Sequence, residues 1–103
     1  MRIAVCDDDE MSRKIITVML QEYIKQNPQY DILVSEFEHA DDLLDTVKKS
    51  GGFDIYLLDI IMPHVNGIEL GVVLRGEDYS GKIIYLTSSN EYVFDSFKVQ
   101  PFN

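Results

Sequence analysis

Three short apolar runs in this chain end abruptly on oxygen-bearing side chains. Ile3-Ala4-Val5-Cys6 leads into Asp7-Asp8-Asp9, Ile55-Tyr56-Leu57-Leu58 ends on Asp59, and Ile83-Ile84-Tyr85-Leu86 ends on Thr87-Ser88. Short runs that are apolar at nearly every position read as strands covered on both faces, which is the pattern of a parallel sheet. In an open α/β sheet, ligands collect beyond the carboxyl ends of the strands, so the three polar clusters are expected to meet at one site. Carboxylates packed together repel one another and are costly to bury without a compensating proton or cation. A hard divalent cation, most simply Mg²⁺, accounts for their grouping.

Helical patterns fill the gaps between these strands, and strand–helix alternation argues for crossover helices on a parallel sheet. The first strand is Arg2–Cys6. A helix is predicted over 9–26, its apolar stripe carried by Met11, Ile15, Met19 and Tyr23 and widened by Ile16, Leu20 and Ile24. Asp9 and Glu10 suit the positive end of its dipole, and Asn27-Pro28 ends it. A more polar second strand over 31–37 belongs at a sheet edge. The next helix starts near His39, buries Leu43, Leu44 and Val47, and stops at Gly51-Gly52. The strand over 54–58 is central, a short helix covers 68–74, the fourth strand is Lys82–Leu86, and a last helix spans 91–99. Phe37, Phe53, Tyr85 and Phe94 read as core, as does Cys6. Pro63 and Gly67 read as architectural, the glycine permitting a tight start to the following helix. His64 reads as an exposed loop side chain and His39 as a helix-start residue.

The 103 residues are enough for one domain, and 46% apolar content supplies one core and argues against disorder. A net charge of −9 argues against direct nucleic-acid binding by this segment, because duplex binding rests on basic contacts to phosphate. No run of about 18 apolar residues is present, so no membrane span is expected. No signal peptide is visible, and a single cysteine that cannot form an internal disulfide fits a cytoplasmic setting. No phosphate-cradling glycine-rich loop follows the first strand, which argues against nucleotide binding.

Asp7-Asp8, the run Asp59-Ile60-Ile61-Met62-Pro63-His64-Val65-Asn66-Gly67, and Thr87-Ser88 together resemble the receiver domain of bacterial two-component response regulators. The resemblance covers the whole chain. The stretch Thr87-Ser88-Ser89-Asn90-Glu91-Tyr92 is most similar to regulators that carry a LytTR-type DNA-binding domain downstream. The resemblance implies a flavodoxin-like, doubly wound α/β fold with strand order 2-1-3-4-5. Four strand–helix units precede Asn103, so the expectation is a single receiver domain over 1–103 without the fifth strand and helix. That segment would bear the lysine that contacts the phosphoryl group. The edge strand left bare would invite association, which makes a homodimer a possible state.

The same resemblance assigns roles. Asp59 is the expected phosphoacceptor, and transfer to it relies mainly on positioning and charge neutralisation. Asp8 and Asp59 are expected to ligate Mg²⁺ directly, Ile61 through its backbone carbonyl and Asp7 through a bound water. Three consecutive acids leave the register open by one from spacing alone; the resemblance puts the pair on Asp7 and Asp8 and leaves Asp9 to start the helix. The Thr87 hydroxyl is expected to bond the phosphoryl oxygen and move inward, and the Ser88 N–H to help hold the group. The implied donor is a sensor histidine kinase, and the chain is a switch that assists its own phosphorylation rather than an enzyme in the usual sense. Apolar Ile61 cannot orient an attacking water, which predicts slow self-dephosphorylation. Two other readings stand beside this one. A metal-dependent hydrolase with an aspartyl nucleophile commonly carries Asp-x-Asp, but position 61 is isoleucine. A degenerate receiver would serve only for protein contacts.

Overall fold

The computed structural model describes residues 1–62, 65–77 and 80–86. Four strands, β1 (Arg2–Cys6), β2 (Leu33–Phe37), β3 (Ile55–Asp59) and β4 (Lys82–Leu86), alternate with three helices, α1 (Glu10–Gln26), α2 (Ala40–Ser50) and α3 (Gly67–Gly76). The strands are parallel and lie in the order β2-β1-β3-β4. This is the expected doubly wound α/β arrangement as far as β4, the edge of the sheet among the described residues. The helix predicted over 91–99 lies outside them, and so does Phe94.

Element boundaries moved where local hydrogen bonding overrode the apolar pattern. The second strand begins at Leu33 rather than 31, because a single 3-10 turn (Pro28–Tyr30) follows α1 and leaves Asp31 left-handed at φ 49°. The third strand begins one residue late, at Ile55; just before it the Asp54 carboxylate accepts a hydrogen bond from the Arg2 backbone N–H at 2.7 Å. The third helix starts at Gly67, capped by Asn66, whose side chain accepts from the Glu69 N–H while the Glu69 carboxylate accepts from the Asn66 N–H.

Side chains alternate across the sheet and divide the interior in two. Ala4, Cys6, Tyr56, Leu58 and Ile83 face α2 and α3 and join Leu43, Val47, Leu70 and Leu74 in the main core. Phe53 packs edge-on to both Phe37 and Tyr56, at centroid distances of 5.9 and 5.8 Å. Arg2 stacks 4.2 Å above the Phe53 ring and donates to the Ser50 and Gly52 carbonyls, closing the end of α2 where Gly51 turns at φ 87°.

The opposite face overturns part of the sequence reading. The stripe Met11, Ile15, Met19 and Tyr23 is exposed, from 44% at Tyr23 to 72% at Met11. The line of α1 that meets β1 and β2 is instead Arg13, Ile16, Thr17, Leu20 and Ile24, with Thr17 buried and its hydroxyl bonded to the Lys14 carbonyl. The apolar arc of α1 is wider than one helix-on-sheet contact, and a helix seats only part of so wide an arc. Among the described residues α1 is the one helix on this face, where Leu57, Ile84 and Leu86 are half-buried.

Gly67 shows how closely the site's support is packed. A Cβ there would collide with the backbone carbonyl oxygen of Asp59, and the Gly67 N–H donates to the Ile60 carbonyl at 3.0 Å. The need is for space, not for an unusual φ. Gly67→Ala is expected to destabilise the domain by about 2–4 kcal/mol. Gly76→Ala, where an added Cβ meets nothing, is expected to stabilise by about 0.5–1 kcal/mol. Urea denaturation of the two variants checks both signs.

Candidate functional site

The parallel register builds the site. Cys6 pairs with Leu58, so the residues that follow, Asp7 and Asp59, emerge side by side at the carboxyl edge of the sheet. Asp8 joins them, and oxygen atoms of the three carboxylates lie within 4.8 Å of one another. Asp7 and Asp59 are buried, 4% and 7% exposed, and Asp8 is half-buried. The three line an open depression of about 420 Å³ together with Asp9, Ser12 and the apolar Ile15, Ile16, Ile61 and Leu86.

Each acid of the Asp7-Asp8-Asp9 run has a separate environment. The Asp7 N–H donates to the Phe37 carbonyl at 3.1 Å, continuing the β1–β2 ladder by one residue. The Asp7 carboxylate accepts from the Asp9 N–H at 2.9 Å. Asp9 is the N-cap of α1: its Oδ2 accepts from the Ser12 N–H at 2.9 Å and the Ser12 hydroxyl at 2.6 Å. Those bonds hold its carboxyl below the usual range. The register that spacing left open is thereby settled in geometry: Asp7 and Asp8 converge with Asp59, and Asp9 starts the helix.

Burial, followed by the negative charge of Asp7, pushes the Asp59 carboxyl up to about 7, against a stabilising hydrogen bond from the Ile61 N–H. Asp7 is also raised, chiefly by burial. Both shifts favour the neutral, protonated form, because among the described residues no positive charge faces these carboxylates closely enough to offset burial and mutual repulsion. The donor set suits a hard divalent cation, being oxygen only, anionic and convergent, and such a triad is typical of a Mg²⁺ site. Cys6 lies beneath it, its Sγ 3.8 Å from the Met62 sulfur. Burial and then the charge of Asp7 push its thiol up to about 12, so it stays a protonated core group.

Of the other predicted site residues, Ile61 lines the depression, 46% exposed. Thr87 and Ser88 lie outside the described residues, as do Pro63 and His64. The strand that leads to them is in place: Leu86 pairs with Asp59, and its carbonyl accepts from the Ile60 N–H at 2.9 Å. Sequence reasoning missed Arg13, which donates to the Asp7 backbone carbonyl at 2.8 Å. Its signal was present: Arg13, Ile16, Thr17, Leu20 and Ile24 are spaced as one helical stripe, and an arginine within such a stripe needs a buried partner.

Comparison with known proteins agrees with this geometry. The family model of the response regulator receiver domain matches residues 3–100. The accessory gene regulator protein A of Staphylococcus aureus is 30% identical over 100 residues, which cover 94% of this chain but only 41% of that protein. The response regulator TrrA of Thermotoga maritima, solved in complex with Mg²⁺ and BeF, is 31% identical and superposes with a TM-score of 0.72 over 91% of this chain and 75% of the other. The BeF3-activated N-terminal receiver domain of Klebsiella pneumoniae RstA is 25% identical with a TM-score of 0.69, over 97% of this chain and 80% of that one. The chain belongs to the response regulator receiver domain family. Members are typically phosphoacceptor switches rather than enzymes with independent substrates, and their partners are histidine kinases. Among the described residues no helix is long and apolar enough to cross a membrane.

A stability prediction follows from the raised carboxyl of Asp59. An unfolded aspartic acid loses its proton near pH 3.9, whereas native Asp59 keeps it to about 7. Between these values the native state binds more protons, so its stability falls as pH rises. In chelator-treated buffer, thermal unfolding from pH 5 to pH 8 is expected to show a falling Tm. Asp59→Asn is expected to flatten that slope and to stabilise the cation-free domain at pH 8 by about 1–2 kcal/mol.

Proposed function

We propose that this chain is a phosphoacceptor receiver in which Asp59 takes a phosphoryl group from a partner histidine kinase in a Mg²⁺-dependent step. The observation that carries the reading is the convergence of Asp7, Asp8 and Asp59 at the carboxyl edge of a receiver sheet. In this proposal Asp8 and Asp59 hold the cation through their carboxylates, Ile61 through its backbone carbonyl and Asp7 through a bound water. A cation held by these residues would supply positive charge against the phosphoryl oxygens.

The ionised Asp59 oxygen attacks phosphorus, an oxygen–phosphorus bond forms, and the nitrogen–phosphorus bond to the kinase imidazole breaks. The parallel register does the positioning, because it holds the nucleophile in a depression open to a partner. Ile15, Ile16, Ile61 and Leu86 supply the apolar part of its lining. The Thr87 hydroxyl and the Ser88 N–H, one and two residues after β4 in the sequence, bind the phosphoryl oxygens and report their arrival.

The chain spans 41% of the staphylococcal regulators it matches, so the output is proposed from likeness. We propose that residues 1–103 form a receiver domain. The output is a LytTR-type DNA-binding domain that regulates transcription in the cytoplasm. The net charge of −9 suits a division of labour in which the receiver itself does not touch DNA.

Acetyl phosphate with Mg²⁺ is expected to add one phosphoryl group, detected by intact mass. The gain is expected to vanish with chelator and in Asp59→Asn. A folded, Mg²⁺-binding protein that gains nothing from either acetyl phosphate or a kinase would instead be a receiver used only for protein contacts. The side chain of Ile61 offers no hydrogen bond to a hydrolytic water. Its replacement by Asn is expected to shorten the acyl-phosphate lifetime by roughly tenfold, and an unchanged lifetime would remove Ile61 from that role.

A further inference from the structure

Arg13 links α1 to the end of β1 and to β2. Its Nη1 donates to the Asp7 carbonyl oxygen at 2.8 Å, and its Nε lies 3.3 Å from the Glu36 carboxylate on β2. The arginine side chain is 15% exposed and that of Glu36 49%. The carbonyl it grips belongs to the peptide unit that joins Asp7 to Asp8. That plane sets the directions in which the two residues project their carboxylates. The Arg13 N–H also donates to the Asp9 carbonyl at 2.9 Å, and the Asp9 N–H closes the turn onto the Asp7 carboxylate. The segment that must present two acids toward Asp59 is thus held by a guanidinium whose own orientation is set by Glu36.

Two physical effects of this cation oppose each other. A fixed positive charge beside an acidic pocket weakens the attraction of that pocket for a second cation. A fixed peptide plane strengthens it, because convergent carboxylates bind a small ion that tolerates little geometric error. Arg13 bonds a peptide oxygen and Glu36 rather than the three converging carboxylates, which leaves their oxygens available. We infer that Arg13, oriented by Glu36, is a positioning residue for the divalent-cation site, and that its positional effect outweighs its charge. This inference rests on the reading of Asp7, Asp8 and Asp59 as that site.

The opposed signs make the test decisive. Mg²⁺ affinity is measured by calorimetric titration of the wild type, Arg13→Ala, Arg13→Lys and Glu36→Gln, with Tm in chelator recorded for each. Removing a positive charge would by electrostatics alone tighten binding. Arg13→Ala is instead expected to weaken it roughly tenfold, as loss of a partner that orients a metal ligand does. Arg13→Lys is expected to recover only part of the loss, since one ammonium point charge cannot keep the planar two-partner geometry. Glu36→Gln, which leaves the arginine in place, is expected to weaken binding roughly two- to threefold, and it carries the test if Arg13→Ala does not fold. Wild-type binding together with equal or tighter binding in the variants, even with a lowered Tm, overturns the inference and leaves Arg13 a stabilising residue only. A wild type that binds no Mg²⁺ overturns the cation site itself, and the inference with it.

Discussion

Mutual repulsion among three carboxylates is the constraint around which this domain is arranged. Parallel pairing of β1 with β3 brings Asp7 beside Asp59 whether or not their charges welcome it, and the burial of both raises their hold on protons. A fold tolerates such a concentration only when the rest of its packing over-determines the geometry. Here the α2–α3 face provides that rigidity, with Cys6 and Leu58 fully buried immediately before the acids. Gly67 lets the start of α3 press against the Asp59 carbonyl, so Asp59 is backed by main chain rather than by a mobile side chain. The repulsion is then available to be relieved by a cation, which is how stored electrostatic cost becomes ligand affinity.

The two faces of the sheet serve different ends. The face covered by α2 and α3 is closed, aromatic and tightly packed around Phe53 and Tyr56. The other carries α1 alone among the described residues, and a broad apolar flank of that helix stands clear of the sheet. The acidic depression opens on this second side, between α1 and the end of β4. Rigidity on one face and access on the other allow the site to be both fixed and reachable.

The strands were legible because each central strand is apolar at nearly every position and ends on a polar residue, whereas their order came from the family resemblance and agrees with the β2-β1-β3-β4 sheet. Helix boundaries were legible to within a residue or two wherever a capping group or a Gly or Pro marked them. The buried line of α1 was not. Periodicity gives the angular width of an apolar arc but not which part of it meets a neighbour, and in α1 the arc takes in both the exposed Met11–Tyr23 stripe and the seated Ile16–Ile24 line. Arg13 was missed for a related reason. A charged side chain reads as solvated unless its partner is known, and here the partners are a backbone carbonyl six residues back and a glutamate on another strand.

The sequence alone determined the strand–helix alternation, the parallel sheet and the presence of acids at two strand ends, because these depend on local hydrophobicity and on residue types at fixed spacing. It also placed Asp9 near the start of α1, where negative charge suits the helix dipole, without settling which two of the three acids form the pair. Only the tertiary structure decided that Asp7 and Asp8, rather than Asp8 and Asp9, converge on Asp59, because strand register is set by pairing across the sheet and not along the chain. It alone decided which side of α1 is seated and that Arg13 grips the peptide between two acids. Those contacts join residues whose proximity exists only after the crossover helices have brought the strands together.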